Sequence, residues 1–132
     1  MRYLALLALT AMILLTPAAD AREQQELREK IRDGVQRTDK DLGSLIPRDK
    51  LNEQQRQRFD GVMKDLTVIK EALTNGKWEG ERDRFERTVE SIDDFVKHAP
   101  IEEGDRQTLG IDVYTLQVIL DSWKAASTPQ RD

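Results

Sequence analysis

The sequence predicts an all-α fold, an antiparallel up-down-up-down four-helix bundle that forms after a signal peptide is removed. Apolar residues beyond position 21 recur at intervals of three and four, which is the spacing of one face of a helix. Turn residues at 46–50, 75–77 and 100–104 divide the chain into four such stretches. Because these connections are short, we expect consecutive helices to be antiparallel neighbours.

Residues 1–21 have the three parts of a secretory signal peptide. The basic residue Arg2 precedes an uncharged apolar run from Tyr3 to Leu15, and Ala19-Asp20-Ala21 places small residues around a cleavage site. The alternative is a membrane anchor, but the run of 13 residues is shorter than the roughly 20 that a spanning helix needs. We therefore expect an exported protein, periplasmic or extracellular, whose mature chain begins near Arg22 and does not span a membrane.

The composition requires this chain to fold by packing alone. It contains no cysteine, which excludes disulfides, thiolate zinc sites, covalently attached haem and a lipoprotein anchor. The net charge is −4 with both signs interspersed, whereas nucleic-acid-binding domains carry a basic footprint. We expect no nucleic-acid partner, although four basic residues between positions 48 and 58 could form a local patch.

Helix 1, predicted over about 22–45, is the weakest of the four. Gly34 and Gly43 each cost about 1 kcal/mol relative to alanine in a helix interior, and Pro47 ends the helix. The alternative to a closed bundle is therefore an arrangement in which helices 2 to 4 pack together and helix 1 is loose or swapped to a partner. Its apolar stripe comprises Leu27, Ile31, Val35, Thr38, Leu42 and Leu45.

Helices 2, 3 and 4 are predicted over about 51–75, 78–98 and 103–125. Asn52 and Gln55 have the spacing of a capping box at the start of helix 2, and Asn75-Gly76 is a typical helix end. The folded domain is expected to span 22–126, followed by a disordered tail at 127–132. The three apolar stripes comprise Phe59, Val62, Met63, Leu66, Ile69 and Leu73; Trp78, Phe85, Val89, Ile92, Val96 and Ala99, with Phe95 alongside; and Leu109, Val113, Leu116, Leu120 and Trp123, with Ile119 alongside.

Trp78, Trp123 and Phe95 are the candidate residues for a surface binding site. Trp78 opens helix 3 and Trp123 ends helix 4, so both indoles are expected at the same end of the bundle. One interpretation is core packing. The other is a partly exposed aromatic site that contacts a ligand, because an indole combines an apolar ring with a polar N–H group.

His98, one helical turn after Asp94, is the candidate polar site. The pair could hold a metal ion, or Asp94 could orient the imidazole; the alternative is a surface histidine at a helix C-terminus, where a positive charge is favoured. Two ligands do not make a metal site. Haem would need Met63 as well, but in an antiparallel hairpin Met63 and His98 differ in height by about nine residues, roughly 13 Å.

No residue pattern in the sequence predicts catalysis. It contains no H-E-x-x-H, phosphate-binding glycine loop or Gly-x-Ser-x-Gly motif, and a single histidine limits acid–base schemes. We therefore predict a non-enzymatic binding or interaction protein without a cofactor or metal, whose partner is a protein or small molecule of the envelope. The alternative is a metal- or haem-binding bundle.

The stretch Leu51-Asn52-Glu53-Gln54-Gln55-Arg56-Gln57-Arg58-Phe59 resembles the L-T-x-x-Q helix start of the Spy-type periplasmic chaperones. The resemblance extends from Leu51 to Leu66, with Asn52 where that family has threonine. It implies an all-helical, ATP-independent chaperone or stress-response protein of the envelope.

Overall fold

The computed structural model describes residues 2–127, with side chains from residue 21 onward. Over this range the chain is an all-α bundle of four α-helices, as predicted, and contains no strand. The helices are α1 (Arg2–Leu45), α2 (Glu53–Asn75), α3 (Arg82–His98) and α4 (Glu103–Ser127), with 3₁₀ turns at Arg48–Lys50 and Trp78–Glu81. Within residues 21–127, no helix is long and apolar enough to cross a membrane.

The helix ends agree with the predicted ends except at four places. Helix α2 begins at Glu53, because Asn52 is its cap. Helix α1 begins at Arg2, so in the full chain it runs without a break through the segment that we expect to be a signal peptide. The predicted third helix is divided into a 3₁₀ turn at Trp78–Glu81, which contains Gly80, followed by α3. Helix α4 includes Ser127, and residues 128–132 of the predicted tail lie outside the described residues.

Helix α2 has defined caps at both ends. The Gln55 amide donates to Asn52 Oδ1 at 2.8 Å, and the Asn52 amide donates to Gln55 Oε1 at 3.0 Å. This reciprocal pair is the predicted capping box. At the other end Gly76 has a φ of 75°, a left-handed conformation that favours glycine and ends the helix.

The four helices bury their predicted apolar stripes in one core. Burying a Leu, Ile, Val or Phe side chain contributes about 1.5–3 kcal/mol, so a core of this kind stabilises the fold without disulfides. Leu45 and Met63, which also belong to the predicted stripes, are only partly buried. The most completely buried apolar side chains are Ile31, Val35, Leu42, Leu66, Ile69, Phe85, Ile92, Leu109 and Leu116.

Polar contacts between the helices indicate the directions in which they run. In the α2–α3 pair, Arg58 bonds to Asp94 and Arg84 bonds to Asp65, so residue numbers fall on one helix as they rise on the other. These two helices are therefore antiparallel. The same relation holds for Arg28–Leu73 and Lys70–Asp39 between α1 and α2, and for Arg106–Val96 and Lys124–Glu86 between α3 and α4.

Helix α1 packs closely against α4 and closes the bundle, which differs from the loose arrangement considered as the alternative. A Cβ atom at Gly34 would lie 2.8 Å from Ile119 Cδ1 and 3.1 Å from Leu116 Cδ2. The missing side chain therefore lets the two helices approach each other. Gly34 was expected only to weaken helix 1, but in the bundle it also lies in the contact between the first helix and the last, where a larger residue would displace the ends of both side chains.

Candidate functional site

The two tryptophans pack in the core and do not form a surface site. Trp78 is 6% exposed and Trp123 is 2% exposed. Their ring centroids lie 5.5 Å apart, so both indoles occupy the same end of the bundle, and Phe85 lies 5.4 Å from Trp123. The 3₁₀ turn that precedes α3 directs Trp78 inward, which corrects the expectation that a residue at the start of this helix could be partly exposed.

Phe95, the third candidate aromatic residue, is also buried. It is 4% exposed, and its ring centroid lies 5.8 Å from that of Phe59 on α2. Phe59 follows the start of α2 and Phe95 precedes the end of α3, so this pair lies at the end of the bundle opposite to the tryptophans. The aromatic residues thus stabilise the two ends of the core and leave no aromatic groove among the described residues.

His98 is an exposed side chain at the C-terminal end of α3. Its Nδ1 lies 2.9 Å from the backbone oxygen of Asp94, a contact in which the ring nitrogen donates. The Asp94 carboxylate accepts from Arg58 at 3.1 Å, and its Oδ1 lies 3.7 Å from His98 Nδ1, which is an ion pair only when the imidazole is protonated. Nowhere in the described part of the chain do three or more His, Cys, Asp or Glu side chains form a group that could hold a metal. Met63 packs against the core while His98 faces solvent.

The basic residues between positions 48 and 58 do not form one patch, because the three arginines among them contact different partners. Arg48 donates to both carboxylate oxygens of Asp60, at 3.2 and 2.9 Å. This bond raises the pKa of Arg48 and lowers the pKa of Asp60. Arg58 pairs with Asp94, and Arg56 donates to the backbone oxygen of Leu51. The patch therefore does not present a continuous basic surface.

A pair of carboxyl groups, Asp41 and Asp112, lies between α1 and α4. Asp112 is 4% exposed, and its Oδ2 is buried without a hydrogen-bond donor. Burial, assisted by the hydrogen bond and negative charge of Asp41, raises the pKa of Asp112 to about 7, against the opposing effect of Arg37. A buried carboxylate without a donor is costly, so this acid is expected to hold its proton well above its ordinary range.

The outer face of α4 carries an exposed apolar surface, the outer stripe, formed by Ile111, Tyr114 and Val118. These side chains are 64%, 67% and 47% exposed. Their spacing of three and four residues places them on one face of the helix, pointing away from the core. A Cβ atom added at Gly110, which borders the stripe, would have no neighbour within 4 Å, so there is open space beside it. The stripe is the apolar surface of the described residues that is best placed for contact with another molecule.

Sequence reasoning did not select the carboxyl pair or the outer stripe. A signal for Asp112 was available, because it lies three residues after Leu109 and four before Leu116, which are both core positions. A signal for the outer stripe was also available in the i, i+3, i+7 spacing of Ile111, Tyr114 and Val118 on the face opposite to the core. Neither pattern states which helix lies opposite, and that information comes from the structure.

Comparisons with models of protein families, with curated proteins and with solved structures find no match to this chain. The interpretation of the site therefore rests on its own geometry. The stretch that resembles the Spy-type chaperones has a local role in the fold, since Asn52 and Gln55 form the cap of α2.

Proposed function

We propose that this protein is an exported, non-enzymatic interaction protein that binds an apolar segment of another protein through the outer stripe of α4. The observation that supports the proposal is the exposure of Ile111, Tyr114 and Val118 on one helix face. Single exposed apolar residues are ordinary on a protein surface, whereas a contiguous group marks an interaction site. The predicted signal peptide supports a role outside the cytoplasm.

The chemistry of the outer stripe suits a protein partner. Tyrosine is enriched at interfaces because its ring buries a large apolar area while its hydroxyl group bonds to polar groups. Ile111 and Val118 flank Tyr114 and would exclude water from its ring in a complex. The neighbouring Gly110 allows a partner to approach the helix backbone. An amphipathic or extended apolar segment fits such a narrow stripe.

The same stripe favours one second function, an ATP-independent chaperone that holds apolar segments of unfolded proteins. This is the function that the resemblance at Leu51–Leu66 implies. The two functions differ in the number of partners, because an interaction protein has one defined partner and a chaperone has many unfolded clients.

Site-specific photo-cross-linking in the expressing cell tests the proposal. A photo-reactive phenylalanine analogue replaces Tyr114 in one variant and Thr67, an exposed residue on the outer face of α2, in the control. A discrete cross-linked product at position 114 only, abolished by Ile111→Gln and Val118→Gln, is the expected result. Equal products at both positions, or none at position 114, would overturn the proposal.

Light scattering of a chemically denatured client separates the two functions. A chaperone would suppress client aggregation at equimolar concentration, and the variant Ile111→Gln, Tyr114→Gln, Val118→Gln would not. A matched control replaces Lys64, Thr67 and Glu71 by glutamine, since these exposed residues on α2 have the same i, i+3, i+7 spacing. Absence of suppression at several-fold excess would exclude the chaperone function.

A further inference from the structure

We propose that Asp41 and Asp112 share one proton across the contact between α1 and α4, and that loss of this proton loosens α1 from the bundle. The carboxyl pair would then act as a pH-sensitive lock on the bundle's closing contact. This inference does not depend on the outer stripe of α4, whose side chains point away from α1.

The geometry of Asp112 requires a hydrogen-bond donor that the described residues do not supply. Its side chain is buried, and its Oδ2 atom has no hydrogen-bond partner among the described residues. The group opposite is the carboxyl of Asp41, which is within hydrogen-bond reach. Two ionised carboxylates cannot bond to each other, but a carboxyl that keeps its proton donates to a neighbouring carboxylate. A single shared proton therefore supplies the missing donor.

The charged groups that act on Asp112 come from α1. Asp41 favours the protonated form, and Arg37, one helical turn before Asp41, favours the ionised form. The buried side chains of α2 and α3 include no ionisable group. The other buried polar side chains of the described core are Thr38 and Thr88, whose hydroxyls donate to backbone oxygens of their own helices. On α2, the Nε atom of the half-buried Arg56 is also buried without a hydrogen-bond partner. Ionisation of Asp112 therefore changes the electrostatic energy mainly at the contact between α1 and α4.

Loss of the proton changes this contact in a defined direction. Two negative charges then face each other at the edge of the core, with Asp112 buried and Asp41 half-buried, and their repulsion is relieved when water enters or when the helices separate. Gly34 lets α1 approach α4 closely beside Leu116 and Ile119, so separation uncovers apolar surface on both helices. We infer that α1 is docked at acid pH and increasingly mobile as the pH rises.

The sign of the stability change follows from linkage. The folded chain holds the proton of Asp112 more tightly than the unfolded chain does, so its contribution to stability is complete below the ordinary pKa of 3.8. That contribution decreases as the pH rises towards the folded pKa of about 7 and is then lost. Between the two values the unfolding equilibrium constant is expected to rise by up to about tenfold per pH unit.

Amide hydrogen exchange of the protein isolated from the expressing host, measured by mass spectrometry across this pH range, tests the lock. After correction for intrinsic exchange rates, protection of α1 should fall by at least about tenfold from about pH 5 to about pH 8, while protection of α2 and α3 changes less. Asp112→Asn removes the titrating group and should abolish this pH dependence. The control Asp121→Asn, an exposed residue on the same helix, should behave as the wild type.

A measurement on the unaltered chain keeps the proposal testable if a variant fails to fold. Nuclear magnetic resonance of aspartate labelled at the carboxyl carbon should show one group that titrates near pH 7 and shifts in step with a second group, since the pair shares its proton. Titration of every aspartate near about 4 would overturn the proposal. So would identical pH profiles of α1 protection in the wild type and in Asp112→Asn.

Discussion

The α2–α3 pair and the α1–α4 pair are both antiparallel, yet they place their charges in opposite ways. Between α2 and α3, ion pairs of opposite charge lie at the surface, Arg58 with Asp94 and Arg84 with Asp65. Between α1 and α4, an acidic side chain is buried and faces another acid. Of the two helix pairs, the second is the one whose contact the proposed shared proton makes dependent on pH.

One small bundle can thus combine a helix pair held by attractive surface charges with a helix pair whose contact depends on protonation. The α2–α3 hairpin has a completed cap, an apolar interface and complementary surface charges. The contact between α1 and α4 contains Gly34, which has no side chain to separate the two helices, and the carboxyl pair, whose protonation determines the charge at the contact. Stability of the first part and docking of the second can therefore change independently.

The largest expected effect compares a matched leucine in each pair. Leu66→Ala and Leu116→Ala each remove a side chain that is 1% exposed, and each should lower the free energy of unfolding by about 2–5 kcal/mol near pH 5. Near pH 8 the cost of Leu66→Ala should be unchanged. The cost of Leu116→Ala should be smaller there, because the α1–α4 contact is already loosened. Urea denaturation monitored by circular dichroism measures both, and equal costs at both pH values would contradict the comparison.

A smaller effect is expected when a side chain is added to each glycine of α1. Gly34→Leu places a side chain against Ile119 and Leu116 and should destabilise the protein by about 1–3 kcal/mol through overpacking. Gly43→Leu is the control, since nothing lies within 4 Å of its Cβ position, and it should stabilise the helix by up to about 1 kcal/mol. Thermal denaturation distinguishes the two signs. A stable Gly34→Leu protein would show that the helices are not held at close distance.

The smallest effect concerns the basic neighbour of the carboxyl pair. Arg37 lowers the pKa of Asp112, so Arg37→Gln should raise that pKa and move the loss of α1 protection to higher pH. Because Arg37 is exposed and screened by solvent, we expect a displacement of less than about one pH unit. Arg32→Gln, also exposed on α1, is the control and should leave the profile in place. A displacement to lower pH would contradict the assigned role of Arg37.

Local signals in the sequence were sufficient to predict most of the fold. The three- and four-residue spacing identified the helices and nearly all of the core, and Asn52, Gln55 and Gly76 marked the ends of α2. These features depend on residues within one helical turn of each other. The predicted sites depended on exposure, which local spacing does not determine, and so the burial of Trp78, Trp123 and Phe95 was not resolved in advance.

The carboxyl pair shows why the remainder could not be predicted. Asp112 has the spacing of a core residue in α4, but its chemistry depends on the residue of α1 that lies opposite. That register depends on contacts between the first helix and the last, among them the packing of Leu116 and Ile119 over Gly34. The sequence of either helix alone does not specify which residue of α1 lies opposite Asp112.

The contact between α1 and α4 also joins the first and last helices, and this determines when the bundle can close. Contacts between distant parts of a chain form late, because closing a long loop costs entropy before any contact is gained. In the export that we propose for this chain, α1 would cross the membrane first and α4 last. The apolar face of α1 would then lack its partner until translocation is complete, and this interval would be the one in which the proposed exported chain is most exposed to aggregation and to proteases.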